Sequence, residues 1–397
     1  MLKRYQMKKI NKTNNEEISP LNYRDDFEAV CDIIATHRNR VVSGINNESL
    51  MMVWKVGGFI SYKLKSSAWG DSVVRMLADY IHTRNPKAKG WSYRTMYKMV
   101  QLYESYAASA FIELVNHYGM QHYLSDQLTG NEQNKDFSIV PFETAQNQSS
   151  EIVPFEMAQI PSVLFSTGWT NHQIIMNRCR SNEERLFYML YAGREKLQNK
   201  ELIRAISTNA MTSILGSRNA MAKAMSKNYP SSSFLFKDRV YLDMLGLPER
   251  YRETKLRKSI VAHMKDFILE LGKDFLFIDE EHRLTVGGKI FKVDLLFYHR
   301  LLQCMVAIEL KTTEFHPKDL GQLEFYLEAL DQEERRSNEN PSIGILLCKE
   351  ADMDVVRFAL NRSMSPTMVA LYKEQLQVGG VIQQSLVEFC RFINEEK

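Results

Sequence analysis

The sequence is poor in cysteine, with only Cys31, Cys179, Cys304, Cys348 and Cys390 in 397 residues. The five are odd in number and widely spaced, and no two form a Cys-x-x-Cys pair. Neither a disulfide framework nor a zinc site is indicated. Cys304 and Cys348 sit in apolar runs and read as small core residues. Net charge is also scarce. The formal balance is +3, which by itself identifies no nucleic-acid partner, because the distribution of charge matters more than the sum. No apolar run is long enough to span a membrane. Lys3, Arg4, Lys8, Lys9 and Lys12 are followed by no apolar segment, so the N-terminus does not read as a secretory signal. These absences predict a protein of a bacterial-type cytoplasm. The length allows two or three domains with sizeable cores.

The informative stretch runs from Lys289 to Tyr326. Two apolar runs, Ile290–Tyr298 and Met305–Lys311, are joined by few residues and read as a β-hairpin. Asp294, Glu309 and Lys311 interrupt them. A buried carboxylate or ammonium is costly unless it is paired or binds a metal. Side chains alternate along a strand, so Glu309 and Lys311 share a face and Leu310 takes the other. Two carboxylates beside a lysine suit a hard divalent ion, Mg²⁺ or Mn²⁺, held by oxygen ligands. Asp294 and Glu309 are the predicted ligands, and the Leu310 carbonyl would add a third protein oxygen. Lys311 would position or deprotonate an attacking water and stabilise the pentavalent phosphate. The competing reading of Glu309 and Lys311 alone is a surface ion pair on an edge strand. The apolar flanks argue for a central strand instead.

Asp294, then Glu309-Leu310-Lys311, resembles the pattern of the PD-(D/E)XK nuclease superfamily. The longer run, through Gly321-Gln322-Leu323-Glu324-Phe325-Tyr326, resembles the YhcG-like family of bacterial proteins. Upstream, Val56-Gly57-Gly58-Phe59-Ile60, Trp69-Gly70, Gly90-Trp91-Ser92 and Gly168-Trp169-Thr170-Asn171-His172 are similar to that family's N-terminal pattern. The resemblance covers most of the chain after about residue 20. It implies an α/β nuclease domain with a mixed central sheet, preceded by a mostly α-helical domain of winged-helix or helix-turn-helix character that binds DNA. It further implies that Gln322 and Tyr326, one helical turn apart, border the active site. Core packing is the other reading of Tyr326. Glu253 matches a family carboxylate that can join the metal site. Two departures put accessory carboxylates in doubt: Arg257 stands where the family pattern has Glu, and Glu281 where it favours Gln.

Along the chain, residues 1–20 read as a flexible basic tail. Residues 21–128 read as a helical domain, with helices over 26–42, 46–64, 73–81 and 93–106, the last capped by Ser92. The Gly57-Gly58 pair would let helices pack closely. Lys89, Arg94 and Lys98, with aromatic residues between them, either contact nucleic acid in a helix-turn-helix or form the solvated face of a bundle. Residues 129–160 read as a linker or insertion, in which Ile139–Gln146 recurs as Ile152–Gln159. Residues 161–233 continue in helix: 171–178 capped by Thr170, 182–197 opened by a Ser181/Glu184 capping box, and 200–215. They end in a linker over 217–235. His172 reads as a hydrogen-bonded structural histidine rather than a metal ligand.

The nuclease domain is placed at 234–397. Its plan is one helix over Leu256–Leu271, strands at 275–278 and 283–286, a turn at Gly287-Gly288, the two runs described above, a helix over 318–330, a strand at 343–348, a helix over 352–360 and a last strand at 368–372.

Two classes of function follow. One is a metal-dependent nuclease hydrolysing phosphodiester bonds of DNA, for which the resemblance suggests defence against foreign DNA. The other is a catalytically silent scaffold that binds nucleic acid or protein. RNA is a third substrate reading, and a homodimer is a reasonable hypothesis because nuclease domains of this fold often need a second site for a second strand.

Overall fold

The computed structural model describes residues 23–39, 45–66, 69–84, 86, 90–124, 158–216, 220–248, 250–373 and 383–395. The basic tail, Lys89, and nearly all of the 129–160 segment with its duplication lie outside the described residues. The described residues fall into two units, one within Met1–Ser109 and Ile139–Pro161, the other within Ala110–Ser138 and Ser162–Lys397.

The first unit is helical, as its periodicity predicts: α1 (Arg24–Asn39), α2 (Ile45–Lys65), α3 (Asp71–Arg84) and α4 (Tyr93–Tyr106). Phe27, Val30, Trp54, Val56 and Ile60 supply buried faces of α1 and α2. Gly57 lets α2 approach α4, because a Cβ there would collide with the Met99 carbonyl. Ser92 caps α4 by accepting the Thr95 N–H at 3.3 Å.

The second unit takes in a helix at Ser109–His117 and a 3-10 turn at Ser162–Ser166, then continues with helices α5 (Trp169–Arg178), α6 (Asn182–Glu195), α7 (Asn199–Ser207) and α8 (Ala210–Leu215). Thr170 lies inside α5, whose N-cap is Gly168. Ser181 accepts the Glu184 N–H, but the Glu184 carboxylate accepts from Arg180 rather than closing the expected box. The helix expected over 200–215 is two helices, divided where Asn209 takes a left-handed backbone (φ 51°). His172 is buried, with Nε2 2.8 Å from the Leu164 carbonyl. The 217–235 stretch, expected as a linker, carries two short helices, Lys223–Asn228 and Ser232–Leu235, and buries Phe234 and Leu235.

The sheet has six strands in the order β1-β6-β5-β4-β3-β2. In chain order the elements are β1 (Arg239–Tyr241), α9 (Glu253–Ala262), α10 (Met264–Leu271), β2 (Phe275–Val286), β3 (Lys289–His299), β4 (Cys304–Glu314), α11 (Pro317–Glu333), β5 (Ile343–Glu350), α12 (Met353–Leu360), β6 (Thr367–Lys373) and α13 (Gln383–Glu395). β2, β3 and β4 pair antiparallel, whereas β4, β5, β6 and β1 pair parallel. The sheet is therefore mixed. The two strands expected at 275–278 and 283–286 are one strand, β2, with a register shift between Phe277 and Asp279. The single helix expected over Leu256–Leu271 breaks at His263 into α9 and α10. A Cβ at Gly344 would come within 2.8 Å of Leu323, so glycine on β5 lets α11 lie flat against the sheet. The same unit ties its helices to the sheet by charge: Arg204 of α7 pairs with Asp243 at 2.7 Å and Glu270 at 3.2 Å.

Candidate active site

The site forms where β3 and β4 stop pairing. Their ladder runs from His299–Cys304 to Leu295–Ile308. Just beyond it the Asp294 carboxylate takes the place of a backbone acceptor. Its Oδ2 accepts the Leu310 N–H at 3.0 Å. Its Oδ1 accepts from Arg257 Nη1 at 2.9 Å.

Glu309 points to the same place from the middle of the sheet. It is only 4% exposed. Its Oε1 accepts from Lys311 Nζ at 2.9 Å and from Gln322 Nε2 at 3.0 Å. Its Oε2 is buried without a hydrogen-bond partner. Leu310, on the opposite face, is fully buried, as strand alternation requires. Burial first, and then the Asp294 charge, push the Glu309 carboxyl up to about 7. Burial alone would lower the Lys311 ammonium, but Glu309, Glu253 and Asp319 outweigh it and raise the pKa. Lys311 is thus held as a cation. Gln322 Nε2 also donates to Tyr326 Oη at 2.6 Å. Burial raises the Tyr326 phenol. Asp294, Glu309, Lys311, Gln322 and Tyr326 therefore form one connected group.

A cleft of about 460 Å³ opens beside it, lined by Glu253, Lys311, Thr313, His316, Lys318, Asp319 and Gln322. Glu253 is the first residue of α9 and His316 the N-cap of α11. Among the described residues, no three His, Cys, Asp or Glu side chains gather as a metal cluster. Glu253 thus stands on the cleft wall rather than in one cluster with Asp294 and Glu309. The orphaned Oε2 of Glu309, beside a second carboxylate, is the donor chemistry a hard divalent ion requires.

Arg257 was read in the sequence only as a departure from a pattern. In the structure it belongs to the site. Besides Asp294, its guanidinium meets Glu281 through Nη2 at 3.2 Å and Glu280 through Nε at 3.9 Å. Its place four residues after Glu253 on α9 was the available signal. Glu281 lies between the pairs Glu280–Leu295 and His282–Val293, and so across from Asp294. It has a left-handed backbone (φ 49°) within a strand.

In the first unit, Arg94 and Lys98 are exposed one turn apart on α4, while Lys89 lies outside the described residues. Tyr97, between them, donates to Asp71. The Arg75 guanidinium lies 4.5 Å from the centre of the Tyr93 ring.

Residues 233–386 match the family model described as "YhcG PDDEXK nuclease domain", and residues 29–213 the "DUF1016 N-terminal domain". The fold and this match make the C-terminal half a PDDEXK nuclease domain, a class that generally uses divalent metal ions. With the DUF1016 domain match ahead of it, the chain is similar to the YhcG-like family in both its N-terminal and C-terminal parts. A curated relative, "Putative nuclease YhcG" of Escherichia coli (strain K12), is 36% identical over 140 residues, or 35% of this chain and 37% of the relative. The match thus spans little more than a third of that relative's length. The crystal structure of a repair endonuclease from Pyrococcus abyssi aligns at 18% identity over 32% of this chain and 50% of that one, with a TM-score of 0.22. That score is too low to bear on the fold.

Proposed function

We propose that this chain is a nuclease that hydrolyses phosphodiester bonds of DNA with Mg²⁺ or Mn²⁺. One observation carries the reading: Glu309 is buried with an unpartnered oxygen, between Asp294 and Lys311. Such a carboxylate is costly to fold and useful only to a cation.

Asp294, Glu309 and the Leu310 carbonyl would hold the ion. When bound, it supplies charge stabilisation to the phosphate and acidity to a water. Lys311, kept as an ammonium, donates to a phosphate oxygen or holds the attacking water. That water's oxygen would bond to phosphorus as the bond to the leaving sugar oxygen breaks, the water giving up a proton to bulk solvent and the departing oxygen taking one from it. Gln322 fixes Glu309 through Oε1, which reserves Oε2 for coordination. Tyr326 in turn holds Gln322. Glu253 lines the approach to Lys311 as an accessory carboxylate.

The proposed domain organisation sets a DNA-contacting helical domain over 21–128 ahead of a nuclease domain over 234–397. In the first, α4 presents Arg94 and Lys98 to phosphates. Defence against foreign DNA, a cytoplasmic site of action and a homodimer that cuts two strands complete the reading.

The test incubates the purified full chain with plasmid, linear DNA and RNA, each with Mg²⁺, Mn²⁺ or chelator. Metal-dependent cutting of DNA is expected, and the products distinguish nicking from end degradation. Cutting of RNA alone would overturn the DNA assignment. Metal-independent binding without cutting would mark a scaffold.

A further inference from the structure

We infer that the centre takes a single divalent ion, and that Arg257 is the fixed cation standing where a second would otherwise sit. This rests on the metal-centre reading above. Arg257 is 8% exposed and spreads one guanidinium over Asp294, Glu281 and Glu280. An ion bridging Asp294 Oδ1 to either glutamate of β2 would have to occupy the space the guanidinium fills.

The bridge is built into the backbone. Glu281 takes a left-handed conformation inside β2, which is unfavourable for a residue with a Cβ. Such a conformation persists where surrounding contacts hold it. Here Arg257 Nη2 and Lys292 Nζ both meet the Glu281 Oε1, each at 3.2 Å. The strand is thus shaped around the arginine.

Arg257 acts through Asp294 and is a positioning residue, not one that touches the reacting atoms.

The test counts Mn²⁺ bound per full chain by electron paramagnetic resonance of the free ion, for the parent, Glu309→Gln, Arg257→Lys and Arg257→Glu. One ion is expected in the parent, none at this site in Glu309→Gln, one in Arg257→Lys and two in Arg257→Glu. A purely structural Arg257 would change melting temperature in both arginine variants and leave the count at one. Two ions in the parent, or one in a folded Arg257→Glu, would overturn the inference. The parent count decides even where Arg257→Glu does not fold. No ion in the parent overturns it together with the metal centre. One bound ion without cleavage of DNA or RNA supports it while overturning the nuclease reading, so the two fail separately.

Discussion

Gln322 Nε2 sits 3.0 Å from Glu309 Oε1 and 2.6 Å from Tyr326 Oη. One amide on α11 therefore fixes a carboxylate on β4. Loss of such a supporting partner around a metal ligand costs about 10–100-fold in affinity or activity. Gln322→Ala is expected to lower metal-dependent cleavage by that order, with the concentration of Mn²⁺ needed for half-maximal rate rising. Tyr326→Phe removes only the outer contact and should cost less. Metal titrations of the cleavage rate check both.

Glu309→Gln should make the protein more stable while removing its activity. In the folded chain the Glu309 carboxyl is pushed up to about 7, against an ordinary 4.5. Its ionisation therefore opposes folding, fully above pH 7 and not at all below 4.5. The parent loses this stability as pH rises between those values. At about 1.4 kcal/mol per pKa unit, the variant should gain on the order of 3–4 kcal/mol at pH 8 in chelator. The gain should shrink toward pH 4.5. Urea unfolding at the two pH values measures it.

Acid should act in the opposite direction through His172. Burial lowers its pKa to about 4, from an ordinary 6.5. The neutral imidazole thus favours folding above 6.5, and that contribution is lost as pH falls from 6.5 to 4. His172→Gln should be less stable than the parent at pH 7.5, with the gap narrowing by on the order of 3–4 kcal/mol as pH falls to 4 and below. His299, also lowered to about 4 by burial, follows the same rule. A gap independent of pH would contradict this.

Within the second unit, helices α5–α8 and the sheet should unfold together. Glu270 is buried and meets Arg204 of α7 and Lys237. Phe187 of α6 packs on Phe389 of α13, with ring centres 4.8 Å apart. Glu270→Ala leaves Lys237 without its carboxylate and should cost about 3 kcal/mol. Hydrogen exchange read on peptides of α5–α8 and of the strands is expected to show one coincident, lowered opening free energy for this unit.

Much of the site was legible because strand alternation is local. Glu309, Leu310 and Lys311 had to alternate between faces. A Gln and a Tyr four residues apart on a helix had to share one. The α4 cap at Ser92 and the close approach at Gly57 were equally local. Where tertiary contacts decide, the sequence was silent. Asn209 divides a helix whose hydrophobic period runs straight through it. The register shift in β2 joins what read as two strands. Arg257 faces Asp294 only because α9 docks against β4 and β3, a contact no spacing within α9 announces. The 217–235 stretch looked like a linker by composition, yet Phe234 is buried against Phe389 and Phe392.

The central claim is that Asp294, Glu309 and Lys311 form a metal-dependent nuclease centre. The most direct measurement is plasmid cleavage in Mn²⁺ by the parent, Asp294→Ala and Lys311→Ala, with melting temperature and DNA binding recorded on the same samples. Cleavage by the parent that falls at least about 100-fold in both variants, while both stay folded and bind DNA, is the predicted result. Cleavage that persists in a folded Lys311→Ala or Asp294→Ala would contradict the account.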